Sequence, residues 1–239
     1  MSMLDRFRLD GKTALVTGAA SGLGAAIAVA LAESGATVAC HGNRRPAVQT
    51  CETIRSLGFT AYAFSGDLGE PDGAVRLFGE VQTALGDIHI LVNNAGMIHR
   101  EAAEEFDPAA WSAVLQVNLT SAFRLCQLAG VEMLKRQQGK IINIASLLSF
   151  QGGIRVPAYA ASKGAIAQLT KALRMNGQAA MCRLTPSLPA ISAPPILWDC
   201  SRMKRGTGRY SNVFLQDDGG SPKIWLALRC FWPLLQATT

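Results

Sequence analysis

Eight residues near the start of the chain, Thr17-Gly18-Ala19-Ala20-Ser21-Gly22-Leu23-Gly24, limit the possible folds more than any other stretch. They follow directly on Lys12 to Thr17, a β-branched and apolar run, and they open the Ala-rich stretch Gly22 to Ser34. Strand, glycine turn and helix in that order bring backbone amides within reach of a pyrophosphate, with the positive end of the helix dipole behind them. Thr17, Gly18, Ser21, Gly22, Leu23 and Gly24 are therefore the expected phosphate-side residues of a dinucleotide site.

The alternation continues along the chain. Thr37 to Gly42 is strand-like, Ala47 to Leu57 helix-like, Thr60 to Ser65 strand-like and Ala74 to Leu85 helix-like. Ile88 to Val92 then reads as a strand, Ala109 to Arg136 as one long helix and Lys140 to Ser146 as another strand. Strands alternating with helices require right-handed crossovers, which predicts a Rossmann-like, doubly wound parallel sheet in a three-layer α/β/α arrangement. At 239 residues the chain suits one such domain.

Charges interrupt the apolar runs before any reaches the roughly 20 residues that cross a bilayer. The first ten residues lack the continuous apolar stretch of a secretory signal, so the expected compartment is the cytoplasm. The six cysteines form no Cys-x-x-Cys pair and are expected to be reduced. The net charge of +6 is uneven: residues 1–173 carry 15 Lys+Arg against 14 Asp+Glu, and residues 174–239 carry 8 against 3. A near-neutral body with a basic tail and no recognisable nucleic-acid motif argues against a phosphate-backbone partner.

An acidic residue closing the second strand would accept hydrogen bonds from an adenosine ribose, but Gly42 stands there. Asn43-Arg44-Arg45 follows, and two exposed guanidinium groups suit either a 2′-phosphate or plain solvation. The choice between NAD and NADP stays open at this stage. Ser146 ends a strand, on the side of an open α/β sheet where ligands bind. Tyr159 and Lys163 lie four residues apart, and if Pro157 begins a helix they share one face. A neighbouring positive charge favours phenolate, so Tyr159 is expected to exchange protons well below its free pKa of about 10.

Thr17 to Gly24, Asn93-Asn94-Ala95-Gly96, Asn118, Ser146 and Tyr159-Ala160-Ala161-Ser162-Lys163 resemble, in order and spacing, the signature of the classical short-chain dehydrogenase/reductase family. The resemblance covers about residues 8–173. It implies an enzyme moving a hydride between a nicotinamide cofactor, NAD or NADP, and a hydroxyl or ketone. Within it, Tyr159 is the general acid/base and Ser146 orients the substrate oxygen. Lys163 binds the nicotinamide ribose and lowers the Tyr159 pKa, while Asn118 holds a proton-relay water. Asp67 contacts adenine, and Asn94, Ala95 and Gly96 shape the cofactor's floor. Family members are commonly homotetramers.

The stretch Gly139 to Pro157 is similar to that of family members acting on sugar acids of the kind met in uronate and pectin breakdown. Two roles suit Arg155: a bidentate partner for a substrate carboxylate, or a brace for its loop or a subunit contact. His99 and Arg100 are second-rank substrate candidates. One His without clustered partners makes a metal site unexpected.

The resemblance stops after Leu173. Residues 174–239 hold six of the ten prolines and three of the four tryptophans. A frame starting on the last base of each codon changes the picture: Met175-Asn176 must contain a glutamate codon and Met181-Cys182 a valine codon. With permitted synonymous codons, Met175 to Ser192 reads as Glu-Trp-Ala, three loosely determined residues, then Val-Gln-Val-Asn-Ala-Ile-Ala-Pro-Gly-Tyr-Ile. Val213 to Ser221 reads as Ile-Pro-Ala-Gly-Arg-Trp-Gly-Glu. Both look like family segments, so residues from about 174 are expected to be a frameshifted translation and the last strand or strands of the sheet to be missing or replaced. An inactive, cofactor-binding remnant of such an enzyme is the alternative that this tail supports.

Overall fold

The computed structural model describes residues 7–174 and the backbone of residues 182–185. Its strands are β1 (Thr13–Val16), β2 (Thr37–Gly42), β3 (Ala61–Ser65), β4 (Ile90–Asn93), β5 (Lys140–Ile144) and β6 (Cys182–Thr185). The helices are α1 (Gly22–Glu33), α2 (Val48–Ser56), α3 (Gly73–Leu85), α4 (Pro108–Leu115), α5 (Ser121–Lys135) and α6 (Pro157–Leu173). Every strand pair is parallel, in the order β3-β2-β1-β4-β5-β6. The chain moves outward from β1 to β3, then returns to the other side of β1 at β4. The crevice of such a sheet lies at this reversal, beyond the carboxyl ends of β1 and β4.

The two-residue period of a strand sends neighbouring side chains to opposite faces, and both faces are covered. Val16, Val38 and Ile142 pack with Ile27 and Leu31 of α1 and Cys51 and Ile54 of α2. Leu15, Leu91 and Ile141 pack on the other face with Leu77, Phe78 and Val81 of α3 and Leu125 and Met133 of α5. A fully buried Leu or Ile contributes ~1.5–3 kcal/mol, so these central strands are the firmest part of the molecule. Cys40, Cys51 and Cys126 are buried and form no disulfide among the described residues. Among the described residues no helix is long and apolar enough to cross a membrane.

Two features differ from the sequence expectation. The stretch read as one helix from Ala109 to Arg136 is divided by a π-helical segment at Gln116–Thr120. The strand before Ser146 ends at Ile144, and Ser146 instead caps a short 3-10 turn at Leu147–Ser149. Where the last strand or strands were expected to be missing or replaced, β6 pairs with β5 from Ile141↔Cys182 to Ile144↔Thr185. A parallel ladder is made by peptide groups, and the free edge of β5 accepts a short extended segment with little demand on its side chains. The remainder of the frameshift reading, over 175–181 and 186–239, lies outside the described residues.

Candidate active site

The glycine turn is built by close contacts. Gly18 has φ 66°, and a Cβ there would lie 2.9 Å from Ala95 Cα, so both conformation and space require glycine. A Cβ on Gly24 would collide with Gly18 O and Asn94 Nδ2. Thr17 Oγ1 donates to Val92 O at 3.2 Å and accepts from Asn94 N and Ala95 N, each at 3.0 Å. Asn94 Nδ2 donates to Thr17 O at 3.0 Å and Gly18 O at 3.1 Å. The Asn-Asn-Ala-Gly motif thus buttresses the turn from β4.

Ser21 is the N-cap of α1, yet its side chain makes no capping hydrogen bond, and the first turn holds no acidic residue. The leading amides of α1 therefore remain available to an anion, which is the donor set a pyrophosphate needs. Leu23 is partly exposed beside them. Asp67, past β3, accepts from Gly69 N at 2.7 Å and from Asn43 Nδ2 at 3.0 Å, which fixes its carboxylate against the loop after β2. At the end of β2, a Cβ on Gly42 would collide with Arg45 O. Arg44 and Arg45 are exposed and form no ion pair among the described residues.

The second half of the crevice is assembled from β5, the π segment and α6. Pro157 occupies the first turn of α6, and Tyr159 and Lys163 share a face, with Lys163 Nζ 5.8 Å from the Tyr159 ring centroid. Ser146 is fully buried; its Oγ accepts from Leu148 N at 3.2 Å and its N–H donates to Ser149 Oγ at 3.2 Å. Ser149 Oγ in turn donates to Lys163 O at 2.7 Å, tying the loop after β5 to α6. Sequence reasoning missed Ser149, although the Ser-x-x-Ser spacing is close to a capping box and would have found it.

The electrostatics correct one expectation. The Tyr159 phenol is pushed up by burial, against which its hydrogen bond with Ser146 pulls down. Burial brings Lys163 itself from 10.5 down to about 8, so near pH 7 it is still largely an ammonium, which donates to Ile144 O at 2.6 Å.

Asn118 sits in the π segment and is 2% exposed. Its Nδ2 donates to Met97 O and Ser162 Oγ, each at 3.0 Å, and its Oδ1 accepts from Met97 N at 2.8 Å. Ser162 Oγ donates to Tyr159 O at 2.8 Å. Both amide hydrogens of Asn118 are thus spent on protein partners, and a water held at this residue would rely on the backbone that the π segment distorts. Gly96 lies beside it, since a Cβ there would be 3.3 Å from Asn118 Oδ1.

Arg155 is exposed with φ 58°, and its carbonyl accepts from Glu101 N at 3.0 Å. Glu101 also accepts from Asp107 N at 2.8 Å and pairs with His99 at 3.2 Å. His99 therefore serves this loop, edge-on to Phe106, while Arg100 is exposed. Leu147, Phe150 and Ile154, between β5 and α6, are exposed apolar side chains, Ile154 being 89% exposed.

A family model described as short chain dehydrogenase matches residues 12–200. The 2-dehydro-3-deoxy-D-gluconate 5-dehydrogenase of Bacillus subtilis is 44% identical over 238 residues, 94% of this chain and 91% of the relative. The Pseudoalteromonas atlantica protein of the same name is 45% identical over 178 residues, 72% of this chain and 68% of the relative. Among solved structures, the gluconate 5-dehydrogenase from Burkholderia cenocepacia in complex with NADP and tartrate is 34% identical with a TM-score of 0.72. That similarity covers 78% of this chain and 74% of the other.

Proposed function

The chain belongs to the short-chain dehydrogenase family, the NAD(P)-dependent oxidoreductases, and from that premise we propose that it interconverts a hydroxyl and a ketone on a sugar acid of the 2-dehydro-3-deoxy-D-gluconate or 2-deoxy-D-gluconate type, with NADP. The observation that carries the reading is the convergence of Ser146, Tyr159 and Lys163 beyond the carboxyl end of β5, beside a crevice floored by Asn94 to Gly96.

When bound, the nicotinamide supplies the hydride acceptor or donor. The remaining chemistry is proton handling. Ser146 Oγ accepts from Leu148 N–H and hydrogen-bonds the Tyr159 phenol, a bond that a substrate oxygen would replace by taking the Ser146 hydrogen. Tyr159, beside it, gives or takes the proton on that oxygen. Lys163 is buried beneath the phenol with further ammonium hydrogens to offer a ribose hydroxyl, and a bound partner would favour its charged form. Asn118 fixes Met97 and, through Ser162, the first turn of α6 that carries Tyr159.

NADP is favoured over NAD by the end of β2. Gly42 has no room for the carboxylate that would receive a ribose diol, and two exposed arginines without an ion pair among the described residues follow it. A sugar acid is supported by Arg155, an exposed guanidinium with a backbone pinned through Glu101, and by the names of the relatives.

The composition break near residue 174 favours a second reading, in which a shifted frame leaves a cofactor-binding but inactive protein. One experiment separates the two: nicotinamide absorbance is followed with 2-dehydro-3-deoxy-D-gluconate and 2-deoxy-D-gluconate, with NADP and then NAD, beside cofactor-dependent melting. Turnover with NADP, lost in Tyr159→Phe, is the expected result. Stabilisation by NADP without turnover would establish the second reading, and resequencing the gene would test its cause.

A further inference from the structure

His41 is the penultimate residue of β2 and its side chain is 1% exposed. Its Nε2 lies 2.9 Å from Gly66 O. A carbonyl oxygen only accepts, so Nε2 carries the proton and donates. Nδ1 is left with its lone pair, and Gly18 N–H donates to it at 3.4 Å. The carbonyl of the same residue accepts from Ala19 N–H at 2.7 Å. One residue of β2 therefore grips the opening peptides of the glycine turn on one side and the segment leading into Asp67 on the other. No step proposed above uses either ring nitrogen.

We infer that His41, as the neutral tautomer protonated on Nε2, is a positioning residue that fixes the distance between the glycine turn and the Gly66–Asp67 segment, and through it the affinity for the adenosine half of the cofactor. It acts through Gly18 and Gly66 rather than by touching the ligand. A single ring with one donor and one acceptor at fixed separation is a spacer that a phenyl group cannot replace, since both backbone groups would be left without partners.

Protonation of Nδ1 would set two donors face to face at Gly18, so the spacer fails in acid. Among the elements packed on the ring, the glycine turn from Thr17 to Gly24 has no acidic or basic side chain, and the segment after β3 contributes Asp67, which favours the charged imidazole. Arg44 and Arg45 follow on the loop after β2. Burial outweighs Asp67 and holds the imidazole below its ordinary 6.5, which keeps the neutral form through the neutral range.

Calorimetric titration of the full chain with NADP and with NAD, at pH 7.5, tests this without requiring turnover, so its failure is distinct from failure of the substrate reading. His41→Phe is expected to raise the dissociation constants about tenfold or more at pH 7.5. In His41→Gln, the carboxamide donates to Gly66 and accepts from Gly18, which is expected to restore binding to within about threefold. Unchanged affinity in a folded His41→Phe protein would overturn the inference. Should that variant not fold, a folded His41→Gln protein that binds both cofactors more than about tenfold more weakly than the unsubstituted chain at pH 7.5 would do so. Nitrogen-15 shifts supply an independent check: a proton on Nδ1 at pH 7.5 contradicts the assigned tautomer.

Discussion

Lys163 illustrates how burial and chemistry meet in one side chain. Its pKa falls from 10.5 to about 8, and burial is the cause. In the unfolded chain the ammonium keeps its proton up to about 10.5, so between pH 8 and 10.5 the unfolded state binds more protons than the folded one. Stability must then rise with pH across that window, relative to a chain lacking the group. At ~1.4 kcal/mol per unit of pKa, the full difference is on the order of 3 kcal/mol. Urea unfolding of the unsubstituted protein and Lys163→Met at several values from pH 7 to 9.5 is expected to show the first gaining on the second as pH rises; parallel curves would contradict it. Tyr159 is tested by function instead. In the proposed mechanism Tyr159→Phe removes the oxygen that would exchange a proton with substrate, and it is expected to lower kcat by about 10²–10⁴ with cofactor affinity unchanged. The positions of Tyr159 and Lys163 were legible from their four-residue spacing and Pro157. Their ionisation was not, because burial depends on β5 and the π segment, which that spacing does not describe.

At the level of elements, the glycine turn is a joint between β1, α1 and β4, and its tolerance is set by contacts across the joint. Gly24→Ala places a methyl group against Gly18 O and Asn94 Nδ2, both held by other bonds. It is expected to cost about 1–3 kcal/mol by denaturant unfolding and to abolish the rise in Tm on adding NADP. Gly22→Ala meets no atom within 4 Å, so the loss from its φ of 58° is conformational and is expected to be smaller, near 1 kcal/mol. The alternation of strand-like and helix-like stretches revealed β1 to β5 and most helix limits. It could not reveal the π segment, in which Asn118 bonds to Met97 and Ser162, residues 21 and 44 positions away. Nor could it reveal β6, where ladder bonds count for more than side-chain pattern.

For the whole molecule, the reversal of strand order between β1 and β4 makes one crevice from residues distant in sequence. The family motifs made that crevice legible, while the partners of His41 and Arg155 depended on loops whose paths a one-dimensional pattern leaves open. The C-terminal quarter carries the remaining test. A chain in which the residues after Arg174 are replaced by the shifted-frame translation is expected to melt at higher temperature and to turn over sugar acids faster than the chain as it stands. Equal Tm and equal kcat/KM would remove the reason to regard the present tail as altered.

The site residues named here all precede Arg174 in the chain. The turn that would receive phosphate and the helix that carries Tyr159 and Lys163 are thus synthesised before the last 65 residues, so a cofactor that binds the folded crevice would stabilise it through contacts encoded wholly upstream of the tail.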